Sequence, residues 1–315
     1  MILTGFLISC NKKKYPTRTQ NFPQVETKRE KLPDKENLWV FLMAGQSNMA
    51  GRGFLNDVPP IYNEHIKMLR NGKWQTMVEP INYDRPTSGI GLSASFAAAW
   101  CLKNKSEDIG LIPCADGGSS LDDWSIDGIL FEHAISQAKL AQKTSNLEGI
   151  LWHQGENDAT PDAANRYEEK FSLIVQAFRR ELKAPNLPVV IGGLGDFLTE
   201  GIYGAHFSAY PIVNKKLKDC TQSIPNCYFV TASGLTSNPD FLHFNAASQR
   251  IFGVRYFEAF ANHKHVLEPL KEEEKILEMI DQRHLSETEK KELLNLKFMS
   301  GDLSLEDYKT ELSKL

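Results

Sequence analysis

Ser47 stands three residues beyond an almost wholly apolar run, Trp39 to Ala44, and close to Gly45. A glycine there allows the tight turn that pushes a hydroxyl into the open, as an attacking serine requires. Alone, such a serine reads more commonly as a turn or cap residue. The local pattern is also not the Gly-x-Ser-x-Gly elbow of α/β-hydrolases. His243 is a candidate general base, and Asp240, three residues earlier, can reach its other ring nitrogen and set its tautomer. In isolation an Asp-x-x-His reads more commonly as a solvated loop. Gly117 and Gly118 offer unencumbered backbone N–H groups and Gln154 an amide donor, which with the Ser47 N–H would make an oxyanion hole. The plain alternatives are a glycine turn and a surface glutamine. Glu156 is a second candidate acid for His243, or an acid favoured by a helix N-terminus. The i to i+3 spacing favours Asp240 over Glu156 as the partner of His243.

The elements that must hold these groups are legible as alternating strands and helices. Trp39 to Ala44 has the composition of a parallel strand covered on both faces. Ile109 to Pro113, Gly149 to His153, Pro188 to Leu194 and Cys227 to Ala232 follow. Between them lie helical patterns, the clearest having Thr160 as cap, Pro161 at the first helical position and Tyr167, Phe171, Ile174, Val175, Phe178 and Leu182 on one face. Leu92 to Lys103, Leu130 to Lys143 and Asn245 to Asn262 supply others. Five strands alternating with helices predict a doubly wound α/β/α sandwich with a parallel sheet. Ligands of such sheets sit beyond the carboxyl ends of the strands. The polar clusters Gly45–Gly51, Ala115–Trp124, His153–Asp158 and Asp240–His243 all fall there, and in this order they make a complete acyl-transfer site.

Gly45-Gln46-Ser47-Asn48-Met49-Ala50-Gly51, Pro113-Cys114-Ala115-Asp116-Gly117-Gly118-Ser119-Ser120-Leu121, Trp152-His153-Gln154-Gly155-Glu156-Asn157-Asp158 and Asp240-Phe241-Leu242-His243 resemble the blocks of the sialate O-acetylesterase (SASA) branch of the SGNH hydrolases, a group shared with carbohydrate esterase family 6. The resemblance spans about Leu38 to Asn262. It implies a flavodoxin-like three-layer fold and a Ser-His-acid esterase that removes O-acetyl groups from sugars such as acetylxylan or sialic acids, with no metal or organic cofactor. It also implies Ser47 as nucleophile, His243 as base, Asp240 as its partner, and Ser47, Gly117 or Gly118, and Gln154 as oxyanion donors. Gln46 and Asn48, beside the nucleophile, are candidate substrate contacts. Asp122, Asp123 and Trp124 are candidates to line the rim and meet a sugar, or else to cap the next helix. Ser88-Gly89-Ile90-Gly91-Leu92-Ser93 departs from the Gly-Pro-Gly type turn of relatives, which bears on the pocket rim. A non-catalytic carbohydrate-binding module would not need the Ser47, His243 and Asp240 set. SGNH folds also host lipases and thioesterases, but few apolar residues flank these motifs. His153-x-x-Glu156 lacks a third metal ligand at recognisable spacing.

The chain has 315 residues, 36 Lys+Arg against 40 Asp+Glu, and 41% apolar residues, enough for a real core. A formal net charge of −4, with no basic block beyond Lys12-Lys13-Lys14, argues against nucleic acid as a partner. No stretch approaches the roughly 18 to 20 apolar residues that span a bilayer. Leu7-Ile8-Ser9-Cys10 resembles a bacterial lipobox, which implies residues 1–10 as a signal segment, Cys10 as the lipidated residue, and an exported lipoprotein held at a membrane only through that anchor. The plain alternative is an incidental cysteine. Residues 11–37, with Pro16, Pro23, Pro33 and many charges, read as a tether, and 38–264 as the esterase domain. Cys220 and Cys227 are close enough in sequence to pair, or are small buried hydrophobes. Residues 265–315 read as a helical extension. Its end, Leu293 to Leu315, resembles the SHOCT module, with an amphipathic tail packing on the body or on another chain as the alternative.

Overall fold

The computed structural model describes residues 37–315. Cys10 and nearly all of the expected tether lie outside them. β1 (Leu38–Gly45) is buried along nearly its whole length and lies at the centre of the sheet. Parallel neighbours flank it on both sides, β4 (Asp108–Pro113) and β5 (Asn146–His153). Beyond β5 come β6 (Val189–Gly192) and β7 (Cys227–Val230), again parallel. Hydrophobic side chains on both faces of these strands are what a sheet covered twice demands.

The sheet has seven strands, not the five expected: its order is β3-β2-β4-β1-β5-β6-β7. The additional pair is an antiparallel hairpin, β2 (Ile66–Arg70) and β3 (Lys73–Thr76), whose turn residues Asn71 and Gly72 both adopt positive φ. β2 extends the parallel set by pairing with β4, and β3 forms the antiparallel edge. The five expected strands keep the flavodoxin-like order, β4-β1-β5-β6-β7, with the hairpin added on the β4 side.

Register shows how the layers form. Ala44 pairs with Trp152, so Trp152 lies on the face opposite Phe41. Phe41 packs against Phe96 of α2 (Leu92–Lys103) and Phe260 of α7 (Ala246–Asn262). The helical pattern opened by Pro161 divides into α4 (Pro161–Asn165) and α5 (Tyr167–Glu181), with α6 (Tyr210–Ser223) beside them, and Trp152 packs against Phe171 of α5. Phe178 of α5 then meets Phe131 of α3 (Ile129–Ala141). A Cβ at Gly253 would lie 2.0 Å from the Leu92 carbonyl oxygen, so only glycine lets α2 and α7 pack so closely.

The C-terminal helices α8 (Glu273–Asp281), α9 (Glu287–Met299) and α10 (Leu305–Leu312) follow. Arg255 of α7, 2% exposed, grips Glu273 with two hydrogen bonds of 2.7 and 2.8 Å. Ser286 and Glu289 form a capping box, and Glu289 also accepts from Arg283 and the Glu64 N–H. These contacts seat α8 and the start of α9 on the body. Cys220 and Cys227 are free, buried thiols, and burial pushes Cys227 up to about 12.

Candidate active site

β1 ends at Gly45, whose φ of +131° and closeness to the His153 carbonyl leave no room for a Cβ. The Gln46 N–H then donates to that carbonyl at 2.9 Å, and Ser47 opens the single-turn helix α1 (Ser47–Ala50). Ser47 Oγ lies 3.0 Å from His243 Nε2. His243 Nδ1 lies 2.7 Å from Asp240 Oδ2. A carboxylate on Nδ1 keeps the proton there and leaves Nε2 able to accept from the serine.

Asp240 also shapes its own loop. Its Oδ1 accepts from the Leu242 and His243 N–H groups at 2.9 and 3.0 Å. Desolvation would raise its carboxyl, but the hydrogen bonds from His243 and from the two backbone amides bring it down to about 2. The Asn238 N–H donates to the His243 carbonyl at 2.7 Å and closes the turn.

Glu156 does not reach His243. It is 1% exposed below the strand ends, where Oε1 accepts from Asn48 Nδ2 at 2.5 Å and lies 3.3 Å from His153 Nε2. Burial pushes this carboxyl up, but His153 and Asn48 outweigh that and hold it below its ordinary range. Asn48 stands between Glu156 and the histidine loop, so the expectation of Glu156 as a catalytic acid is corrected to a brace beneath Asn48. Asn48 itself is 1% exposed and tied to Leu242, Phe244 and Glu156, which leaves it no free group for substrate.

Two more expectations, Gln154 and Trp124, change for the same reason, burial with the relevant donors engaged. Gln154 is fully buried; its Nε2 donates to Asp158 Oδ2 at 2.5 Å and to the Ser119 carbonyl at 3.1 Å, while its Oε1 accepts from Tyr167. It has no donor left for an oxyanion. Trp124 is fully buried, donates to Ser119 Oγ and packs edge-on against Trp152, so it belongs to the core and not to the rim. Gln46 is 3% exposed, and its Oε1 accepts from Gln154 Nε2 and the Gly155 and Asn157 N–H groups; its carbonyl end organises the loop after β5. Of the two glycines, Gly117 donates its N–H to Asp84 Oδ2 at 2.6 Å. The Gly118 N–H has no partner among the described residues, and a Cβ at that residue would meet open space. The Ser47 N–H is likewise without a partner there.

Residues 37–262 match the family model for carbohydrate esterase, sialic acid-specific acetylesterase. The chain belongs to that family. It is 28% identical over 251 residues to a "Probable carbohydrate esterase" of Arabidopsis thaliana, covering 70% of this chain and 89% of that protein. An Arabidopsis thaliana X-ray structure superposes with a TM-score of 0.65 at 25% identity, over 73% of this chain and 99% of the other. NanS follows at 0.59 and 18%, over 74% and 99%. A carbohydrate acetylesterase from Xanthomonas citri gives 0.50 and 18%, over 72% of this chain and 56% of that one. The last two likenesses are of fold.

This family member carries further groups at its candidate site that sequence reasoning passed over. Asn157 is exposed; its N–H donates to Gln46 Oε1 at 3.3 Å and its Nδ2 to the Gly118 carbonyl at 3.1 Å. An amide two residues beyond a glycine, inside a polar cluster at a strand end, was the available signal. Arg52 holds Asp84 in a buried bidentate pair of 2.7 and 3.1 Å, and Asp84 in turn fixes Gly117. Arg85 bridges Asp116 Oδ1 and the Gly117 carbonyl. Local sequence gave no sign of these pairs, because their partners are some thirty residues apart. The Ser88–Ser93 turn packs against the segment that follows α1: Gly89 N–H donates to the Gly51 carbonyl at 3.1 Å, and Gly53 and Ile90 exchange backbone hydrogen bonds.

Proposed function

We propose that this family member removes O-acetyl groups from carbohydrates by an acyl-enzyme mechanism. The observation that carries the reading is the unbroken line Ser47 Oγ, His243 Nε2, His243 Nδ1, Asp240 Oδ2, with steps of 3.0 and 2.7 Å across the nitrogens. Ser47 Oγ attacks the acetyl carbonyl while His243 Nε2 takes its proton. Negative charge gathers on the carbonyl oxygen, where the Ser47 N–H, the Gly118 N–H and Asn157 Nδ2 serve as donors. The intermediate collapses, and the sugar oxygen leaves with the proton carried by His243. Water then adds to the acetyl-serine, giving its proton to His243, and acetate departs as Ser47 recovers its hydrogen. Asp240 stays ionised and steadies the imidazolium formed at each step.

Acetate release from acetylated xylan and from O-acetylated sialic acids, measured with chelator present, tests the reading. Activity on either supports it, and Ser47→Ala should abolish the activity in a protein with an unchanged melting profile. Full activity in Ser47→Ala would overturn the mechanism.

A further inference from the structure

Phe241 sits between the two residues that carry the proton relay, Asp240 and His243, and it has a φ of +52° while 38% exposed. A bulky aromatic residue in the left-handed region costs backbone energy that its surroundings must supply. Leaving over a third of its surface in water forgoes part of the burial that would offset this cost. The loop after β6 lies against it: a Cβ at Gly201 would be 2.9 Å from Phe241 Cβ and 3.1 Å from the Asp240 carbonyl oxygen. That loop is fastened at the site by Phe197, whose ring centroid lies 5.1 Å from that of Phe244, and by the Ala209 N–H on the Ala159 carbonyl. Directly beyond Gly201 come Ile202, 90% exposed, and Tyr203, 57% exposed. Apolar surface is thus grouped in two touching loops beside the nucleophile.

We propose that Phe241 and Tyr203 form the platform on which the sugar ring of the acetylated glycan lies, on the Asp240 side of Ser47. The inference rests on the carbohydrate-ester reading above and narrows its substrate. A pyranose presents a row of C–H groups on one face, and these weakly positive hydrogens complement the negative face of an aromatic ring. The ring taken is a neutral one. Asp240 places a negative charge beside Phe241, and the guanidinium groups around Gly117 are each answered by a carboxylate, Arg52 by Asp84 and Arg85 by Asp116. A sugar carboxylate on this platform would meet repulsion from Asp240 and no compensating net charge from those pairs.

The test compares kcat/KM on acetylated xylo-oligosaccharides, on O-acetylated sialic acid and on ethyl acetate, for the full chain and for Phe241→Ala, Tyr203→Ala and Phe241→Trp. The ratio of oligosaccharide to ethyl acetate should fall about tenfold in each alanine variant and recover in Phe241→Trp. The wild type should favour the neutral oligosaccharide over the sialic acid. A ratio unchanged by both alanine substitutions overturns the platform, even if both rates fall together. A wild-type preference for the sialic acid that survives Phe241→Ala overturns the neutral assignment. A wild type that hydrolyses ethyl acetate but no acetylated sugar overturns the carbohydrate-ester reading itself, which separates the two failures.

Discussion

Asn48 Nδ2 donates to Glu156 Oε1 across 2.5 Å, and the same side chain grips both peptide groups flanking His243: Nδ2 reaches the Leu242 carbonyl at 3.2 Å and Oδ1 accepts from the Phe244 N–H at 3.0 Å. The buried carboxylate therefore acts on His243 through an amide and one loop, whereas Asp240 touches the imidazole directly. Loss of the orienting carboxylate costs about 10⁴ in kcat in serine proteases. Asp240→Asn should approach that loss, while Glu156→Gln, which keeps the shape and one acceptor, should cost about tenfold or less. Steady-state kinetics on an acetyl ester decide it, and a larger loss in Glu156→Gln would reverse the roles.

The proposed mechanism gives the Asn157 amide a donor's part and the Gln154 amide a structural one. Asn157→Ala removes an exposed donor at the Gly118 carbonyl and should lower kcat by about 10² to 10³, with stability changed by no more than about 0.5 kcal/mol. Gln154→Leu leaves Asp158, Tyr167 and the Ser119 carbonyl short of a partner in a sealed interior. It should cost about 2 to 4 kcal/mol by urea unfolding, with kcat of the folded fraction little changed. A kcat collapse in Gln154→Leu without loss of stability would return that residue to the oxyanion hole.

The carboxyl of Asp240 lies at about 2 in the folded protein, below the ordinary value near 3.9. A carboxyl depressed on folding contributes stability that is full above its unfolded pKa and is lost as pH falls through the folded one. The urea midpoint gap between wild type and Asp240→Asn should thus be constant above about pH 5 and close between about pH 4 and 2. The same shift means that Asp240 remains charged through any acid limb of activity above about pH 4. A gap that instead shrinks between pH 6 and 8 would show that Asp240 is not what the substitution reports.

What could be read from sequence divides along burial. β1, β4, β5, β6 and β7 were legible because a strand covered on both faces is a contiguous apolar run. β2 was not, since Ile66-Lys67-Met68-Leu69-Arg70 places Lys67 and Arg70 at positions only 4% and 8% exposed, which conceals the strand pattern. The Asn71-Gly72 turn was its one clear signal. The Ser47, Asp240 and His243 arrangement could be anticipated because their spacing and their place at strand ends are sequence properties. Gln154, Trp124 and Asn48 carry polar groups in the same clusters, yet their burial depends on Asp158, Tyr167, Trp152 and Phe244, which only the folded chain brings near. A motif therefore located the site without saying which members face the substrate.

Arg255 and Glu273 make the strongest case for the C-terminal helices as part of the folded body. Arg255 spends its remaining donors on the Thr231 and Ser233 carbonyls, at 3.0 and 2.8 Å, just beyond β7. Removing Glu273 would strand a guanidinium that is 2% exposed, and breaking a buried pair from one side costs about 3 to 5 kcal/mol. The loss falls on α7, which follows the His243 loop directly, and on the Leu270 N–H, which donates to Glu273 Oε2 at 3.0 Å. Glu273→Ala should lower the melting temperature by several degrees and weaken hydrogen-exchange protection in α8 and around Arg255 in the middle of α7. The double variant Arg255→Met with Glu273→Leu should recover much of that loss, because no charge is then left buried. Thermal melts of the three proteins check this. An unchanged melt in Glu273→Ala would show that α8 is held by its apolar contacts alone.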